Sequence, residues 1–355
     1  MAQKKIVKKQ AMSKKKPQAK KVERVSSFWR SKRGVVIGLL FVALFGAIGV
    51  WQLSKSDAAD TSTNINFMNR DSVNYYYNYL WKSGEGVPTG WTGSVSGCHP
   101  GTSSAAAHRA EINAINFARR LNGLTPISGA YSTDATQNLN GQKTALIMEA
   151  NGALSHNPPT TWKCYTKVGA SVAGKSNLAL QLPSTTPLGA VKSMFDEPGS
   201  ANYAVGHRRW LLNPPAVSFG FGLTKAAASI QVIGLNTSST NNNPYYVSWP
   251  SKGYFPANLD PAGRWSFSGR AYMCFNNATV TVTHSGTGVS VGLLSRADRS
   301  YARPTIVWQM PSGFSKAGTY TVSVHNINQM SSGKCSTSSS TQLSYSYSVY
   351  FFAPY

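Results

Sequence analysis

The sequence predicts an α+β protein held on one N-terminal membrane-spanning helix, with a helical first half outside the membrane and an all-β second half. Three observations predict it. An uncharged apolar run of 21 residues, Gly34 to Ser54, follows a strongly basic tail. Apolar residues then recur at helical spacing through much of residues 105–196. From about Tyr245 onward, short alternating segments are divided by Gly, Ser and Asn, the pattern of a β-sandwich.

The tail sets the orientation. Residues 1–33 carry ten Lys and three Arg against the single acid Glu23, a net +12 of the +23 on the whole chain. Such a tail reads as nucleic-acid-binding or as facing anionic lipid, and the following segment decides between them. At ~1.5 Å per residue, the run 34–54 is roughly the ~30 Å of a hydrocarbon core. The positive excess lies wholly on its N-terminal side. That places residues 1–33 in the cytoplasm and the bulk of the chain outside the cell, on a single-pass signal anchor in the cell membrane. Trp51 sits at the far edge, where an interfacial aromatic is expected. The basic tail is then a topology signal, and no nucleic-acid partner is expected. A cleaved signal peptide is the alternative and would make the protein secreted. Its usual apolar region of ~7–15 residues is shorter, and Ser56-Asp57-Ala58 is a poor cleavage site.

Residues 55–104 read as a stalk and N-terminal extension. The stretch from 55 to about 70 is polar. DSVNYYYNYLW then sets Val73, Tyr76, Tyr77 and Leu80 at helical spacing behind Asp71 as N-cap. Residues 105–240 form the helical domain. AAAHRAEINAINFARRLNG puts Ala114, Phe117, Ala118 and Leu121 on one face, with Gly123 past its end. STDATQNLNGQKTALIMEANG repeats the pattern with Leu139, Leu146 and Ala150. Thr186-Pro187 opens a third helix that Asp196-Glu197-Pro198-Gly199 stops. VSFGFGL and SIQVIGL read as strands, and NTSSTNNNP near residue 240 as a linker. Residues 241–355 form the β-sandwich domain. Its segment from Gly318 through Tyr320 to Val324 resembles the late strand of immunoglobulin-like modules.

All four cysteines follow the apolar run. An even number in an exported region implies two disulfides. Three connectivities are open, and the most local pairs Cys98 with Cys164 and Cys274 with Cys335.

Of six histidines, two stand in turn-rich contexts just after helical segments: His156 in NGALSHNPP and His207 in YAVGHRRWLLNPP. Two imidazoles so placed can share a divalent ion or a proton-transfer task, with Asp196 and Glu197 as accompanying acids. Arg208 and Arg209 beside a helix end read as exposed solubility residues, or as contacts for an anionic polymer or phospholipid. His99 and His108 read as exposed, and His284 and His325 as packing or surface residues of strands. Neither Ser155 nor Ser176 lies in a nucleophile-elbow pattern.

The order INAINFARRLNGLTPI, ANGALSH, SNLA, MFDE, VGHRRWLLNP and FGFG resembles the CAP superfamily, the SCP-like domains of cysteine-rich secretory and pathogenesis-related proteins, over residues 105–224. The resemblance implies an α/β/α sandwich with a cleft holding two histidines and two acids. It carries His156, His207 and Glu197 onto three of those four places. The fourth, a glutamate in the family, is Ser176 here, and Arg208-Arg209 replace the usual Tyr-Thr. The cleft expected is thus His156, His207, Glu197, Ser176 and Asp196.

Three readings follow. In the first, the cleft binds a lipid, peptide or envelope polymer. In the second, the protein is a metal-assisted hydrolase of peptide or wall substrates, with His156 and His207 holding a divalent metal such as zinc and Glu197 as general base. In the third, the two domains are structural or adhesive spacers.

Overall fold

Helical and β layers share one hydrophobic core in the computed structural model, which describes residues 65–128, 135–296, 299–336, 338 and 342–355. All of these fall in the compact unit Ala59–Tyr355. The expected anchor, 34–54, and its basic tail lie outside the described residues. No helix among the described residues is long and apolar enough to cross a membrane.

The N-terminal extension is built into the core. Helix α1, Arg70–Tyr76, is capped two residues before the expected Asp71, because the Asn69 side chain accepts from the Ser72 amide. The chain continues as one π-helical stretch, Tyr77–Trp81. Its Tyr77 and Trp81 rings meet Phe117 edge-on at 5.9 and 6.2 Å. Phe117 lies on α2, Ala105–Leu121, which Ser104 caps through the Ala107 amide.

A three-stranded antiparallel sheet, order β1-β3-β2, follows from β1 (Ser176–Leu180), β2 (Gly220–Leu223) and β3 (Ala227–Gln231). Side chains alternate across it as the strand period demands. Ala179, Phe221, Leu223, Ala228 and Ile230 join α2 and α5 (Pro187–Asp196) in one core. Leu178 and Ala227 pack instead with Ala145, Ile147, Met148 and Ala173, on α3 (Thr136–Asn151) and α4 (Lys167–Ala173). Helices therefore cover both faces of the sheet.

The expected face of α3 is only partly the buried one: Leu146 is buried, whereas Leu139 and Ala150 are half-buried. Asn138, Gly141 and Gln142 face the sheet in their place. Helix and strand approach so closely that a Cβ on Gly222 would fall 2.1 Å from the Gly141 carbonyl carbon. At that distance amide side chains serve the strand: Asn138 Oδ1 accepts from the Phe221 amide at 2.8 Å, and Gln142 Oε1 from the Leu223 amide at 3.1 Å. A face selected for backbone hydrogen bonding carries no apolar periodicity.

The second half is two packed sheets. One has the order β10-β11-β6-β4: Gly292–Ser295, Thr305–Gln309, Arg264–Gly269 and Tyr246–Trp249. The other runs β5-β14-β12-β8-β9: Gly253–Pro256, Leu343–Phe352, Gly318–Ser331, Thr279–His284 and Thr287–Val289. Short β7 (Met273–Cys274) and β13 (Lys334–Cys335) pair with β12. Strand β5 joins β14 in parallel. Trp265 lies between the sheets, edge-on to Tyr320 at 5.4 Å. The Tyr320 hydroxyl donates to the Ser315 carbonyl at 2.6 Å, a tie of the kind found at the tyrosine corner of immunoglobulin-like sandwiches. The disulfides take the most local connectivity, Cys98–Cys164 and Cys274–Cys335.

The segment near residue 240 is bound along its length. Ser238 N donates to Pro215 O at 2.8 Å, and Asn241 Nδ2 donates to Ala216 O at 2.9 Å. Just beyond it, Trp249 stacks on Phe195 at 4.9 Å, which continues the helical core into the β half. Arg208 and Arg209 also join the halves, and both are buried, contrary to the expectation of exposed solubility residues. Arg208 donates to Phe195 O, Arg264 O and Ser266 Oγ, and its guanidinium lies 5.5 Å over the Trp249 ring. Arg209 donates to Ala204, Tyr301 and Arg303 carbonyls. Five fixed donors let one guanidinium satisfy several buried carbonyls, which explains how so polar a group is stable there.

Candidate functional site

His207 stands at the start of the short helix α6, Gly206–Leu211, and not in a turn after helix three. Asn177 of β1 holds its backbone, donating to the His207 carbonyl at 3.0 Å. Glu197 ends α5 in the left-handed conformation, φ 53°. Val205, the N-cap of α6, is left-handed too, φ 48°. Such non-glycine conformations cost of order 1–3 kcal/mol each and persist where the surroundings enforce them. Here they turn the chain so that Glu197, 0% exposed, meets His207.

Glu197 Oε2 accepts from His207 Nδ1 at 2.9 Å, and Oε1 accepts from the Arg208 amide at 2.8 Å. A carboxylate paired this way only accepts, so Nδ1 carries the hydrogen and Nε2 is the free nitrogen. His156 is oriented in the same sense, with Nδ1 2.9 Å from the Ala173 carbonyl. Each imidazole thus has one nitrogen committed to a fixed acceptor and one available.

Two cavities meet at this pair, and His156, Asn202 and His207 line both. The first, about 230 Å³, is walled by Lys175, Ser176, Asn177, Trp210 and Tyr301. The second, about 410 Å³, adds Leu154, Leu178, Leu180, Met194 and Pro198. The structure therefore brings His156, His207 and Ser176 to one cleft, with Glu197 directly behind His207. Ser176 Oγ donates to the Val172 carbonyl at 2.8 Å.

Asp196 lines neither cavity. Its neighbours in charge are Lys192, Arg208, Asp260 and Lys316, on the side facing the β half, and burial pushes its carboxyl up to about 7. Asp196 is the last residue of α5, whereas Glu197 is its left-handed cap, so the two side chains leave the chain in different directions. His156 and His207, the expected metal ligands, face one cleft, with Glu197 behind His207. Among the described residues no group of three or more His, Cys, Asp and Glu side chains is placed to hold a metal ion. Both Glu197 oxygens are already engaged, and two imidazoles fall short of the three protein ligands of a catalytic zinc site.

His108 is also a correction. It is buried, with Nε2 3.0 Å from Ser103 Oγ and Nδ1 3.5 Å from Glu111 Oε2. Ser, His and Glu in this order resemble a catalytic triad, but Ser103 and Glu111 are buried as well and no described cavity reaches them. Burial pushes the Glu111 carboxyl up to about 7.

Sequence reasoning missed Trp210, Asn202 and Tyr301. Trp210 lies three residues from His207, one helical turn away, and was accessible once GHRRWL was read as helix. Tyr301 reaches the cleft from the β half, 94 residues along the chain from His207, and no local pattern announces it.

A sheet covered by helices on both faces, with two oriented histidines in a cleft beside it, defines an α/β/α domain. Residues 112–235 match the profile of the cysteine-rich secretory protein family, CAP, and this stretch of the chain belongs to that family. No curated protein matches the chain. Among solved structures it is similar to PcoC, a methionine-rich copper resistance protein from Escherichia coli. That likeness has 15% identity over 29% of this chain and 91% of that one, with a TM-score of 0.22, too low to support any argument.

Proposed function

We propose that the chain is an exported CAP-domain protein, anchored through residues 34–54, whose His156/His207 cleft binds a lipid, peptide or polymer of the cell envelope without turning it over. The observation that carries this reading is the state of Glu197. It is buried, lines neither cavity, and its two oxygens hold His207 Nδ1 and the Arg208 amide, so it is a positioning residue for His207 and does not face the space where water would be activated. Among the described residues no carboxylate lines either cavity. The two disulfides fit an oxidising, extracellular compartment.

One feature favours the hydrolase reading: both histidines commit Nδ1 and leave Nε2 available, as metal-ligating histidines do. Against it stand the missing third ligand and the occupied base. Zinc titrated into the chain is expected to bind weakly, and His156→Ala is expected to change that little. Tight stoichiometric zinc lost in His156→Ala would reinstate the hydrolase.

The binding reading is tested by sedimenting the chain from Ala59 onward with isolated cell-envelope material, separated into lipid, peptide and polymer fractions. One fraction should retain the wild type and release His156→Ala and His207→Ala. Retention of both variants at the wild-type level would refute it.

A further inference from the structure

An open groove of about 720 Å³ lies where the N-terminal extension meets the chain beyond β14, lined by Asp71, Asn74, Tyr75, Asn78, Tyr79 and Tyr355. It shares no lining residue with the two cavities of the histidine cleft. Tyr75, Tyr79 and Tyr355 are 62%, 47% and 59% exposed, so three large rings stand in solvent around one space.

These rings are held in place. The Tyr355 amide donates to Asn74 Oδ1 at 2.9 Å, and its carbonyl accepts from Asn74 Nδ2 at 2.7 Å and from Asn78 Nδ2 at 2.9 Å. Its hydroxyl donates to Asp71 Oδ1, and the Arg70 guanidinium lies 4.8 Å from its ring centroid. Tyr75 and Tyr79 lie nearly parallel, 17° apart, with centroids at 6.0 Å. Asn78 and Tyr79 belong to the π-helical stretch Tyr77–Trp81, a rare form that is frequent at functional sites. Asn74, a buried amide, thus fixes an aromatic residue that buries little of its own surface. Ordering an exposed side chain costs entropy that burial does not offset there, and a surface already ordered lowers the cost of binding.

We propose that this groove is a binding site for a neutral oligosaccharide chain. The face of an aromatic ring is electronegative and attracts the polarised C–H groups of a sugar ring. Polar groups for sugar hydroxyls stand around the rings. Both Asn78 side-chain bonds use Nδ2, which leaves Oδ1 as an acceptor, and the Tyr355 hydroxyl occupies one oxygen of Asp71. The Tyr75 and Tyr79 hydroxyls can donate or accept. Charge selects against other occupants. Among the described residues the lining holds one carboxylate and no Lys, Arg or His, which disfavours an anionic polymer or an anionic lipid surface. Arg70, beside the groove, lies over Phe352 and Tyr355. The volume falls within the range of small-ligand sites.

Isothermal titration calorimetry of the purified protein tests this with chitohexaose, cellohexaose and maltohexaose, and with a hyaluronan hexasaccharide as the anionic control. At least one neutral hexasaccharide is expected to bind, and the anionic one to bind about tenfold more weakly. Tyr75→Ala and Tyr79→Ala should each weaken the neutral sugar about tenfold. Both residues are exposed, so the thermal midpoints of these variants should match the wild type. His156→Ala should bind the sugar as the wild type does, which separates this site from the histidine cleft and lets either reading fail alone. No binding of any neutral hexasaccharide, or wild-type affinity in both tyrosine variants, would overturn the proposal. Cosedimentation with phosphatidylglycerol vesicles that depends on Tyr75 and Tyr79, without sugar binding, would also overturn it and assign the face to a membrane.

Discussion

Glu197 and His207 are joined by a 2.9 Å hydrogen bond from Nδ1 to Oε2, made by a carboxylate that is wholly buried and sits in a left-handed backbone conformation. The second oxygen ties the Arg208 amide, so one side chain both aims the imidazole and caps the helix that carries it. Replacing Glu197 by Ala leaves a buried backbone N–H without its acceptor. A loss of about 1–3 kcal/mol is expected from that group alone, measured by denaturant unfolding. Glu197→Gln keeps an acceptor for Arg208 and should lose distinctly less. Equal stability of the Ala variant and the wild type would contradict the role given to Glu197.

Arg208 is the stronger structural test. Its guanidinium satisfies carbonyls on both halves and lies over Trp249. Arg208→Lys keeps the charge but not the fork. Given ~1.5–3 kcal/mol for each charged hydrogen bond lost, a destabilisation of about 3 kcal/mol is expected, again from denaturant midpoints. A surface arginine would show a change within about 0.5 kcal/mol.

Truncation at residue 240 should fail to leave a folded CAP half. Phe195, buried against Trp249, and Arg208 would both be uncovered. Expressed as residues 59–240, the protein is expected to aggregate or to lack a cooperative thermal transition. A sharp transition in circular dichroism at wild-type temperature would show that the β half is a separable spacer.

Much of this was legible in the sequence, and the exceptions have physical causes. Helices α2 and α5 announced themselves through apolar spacing and caps. His156, His207 and Glu197 were locatable because their motifs keep a recognisable order. Helix α3 buries a different face from the one its apolar spacing predicts, because Asn138 and Gln142 serve the backbone of β2, a role that leaves no hydrophobic pattern. Arg208 and Arg209 read as surface residues because charge usually marks solvent, and only the docked β half supplies the carbonyls that bury them. The same docking puts Tyr301 in the cleft. Contacts between distant segments carry no local signature.

Stability should fall as pH rises from about 5 to about 8. Burial raises Glu111 from 4.5 and Asp196 from 3.8, each to about 7. Between the unfolded and folded values the native state holds more protons than the unfolded chain, so raising pH favours unfolding across that window. The charged or titratable group facing Glu111 is His108; those around Asp196 are Lys192, Arg208, Asp260 and Lys316. Glu111→Gln should flatten the slope measured by urea midpoints at the two pH values. A midpoint that rises from pH 5 to pH 8 in the wild type would contradict these assignments.

The central claim is that His156 and His207 together form the ligand-contacting part of the cleft. Histidine labelling with diethyl pyrocarbonate, read by mass spectrometry with and without the envelope fraction that retains the protein, tests it most directly. His156 and His207 should both be protected by that fraction, while the exposed His99 is labelled equally in either condition. Unchanged labelling of His156 and His207 in the bound protein would place the ligand elsewhere and contradict the account.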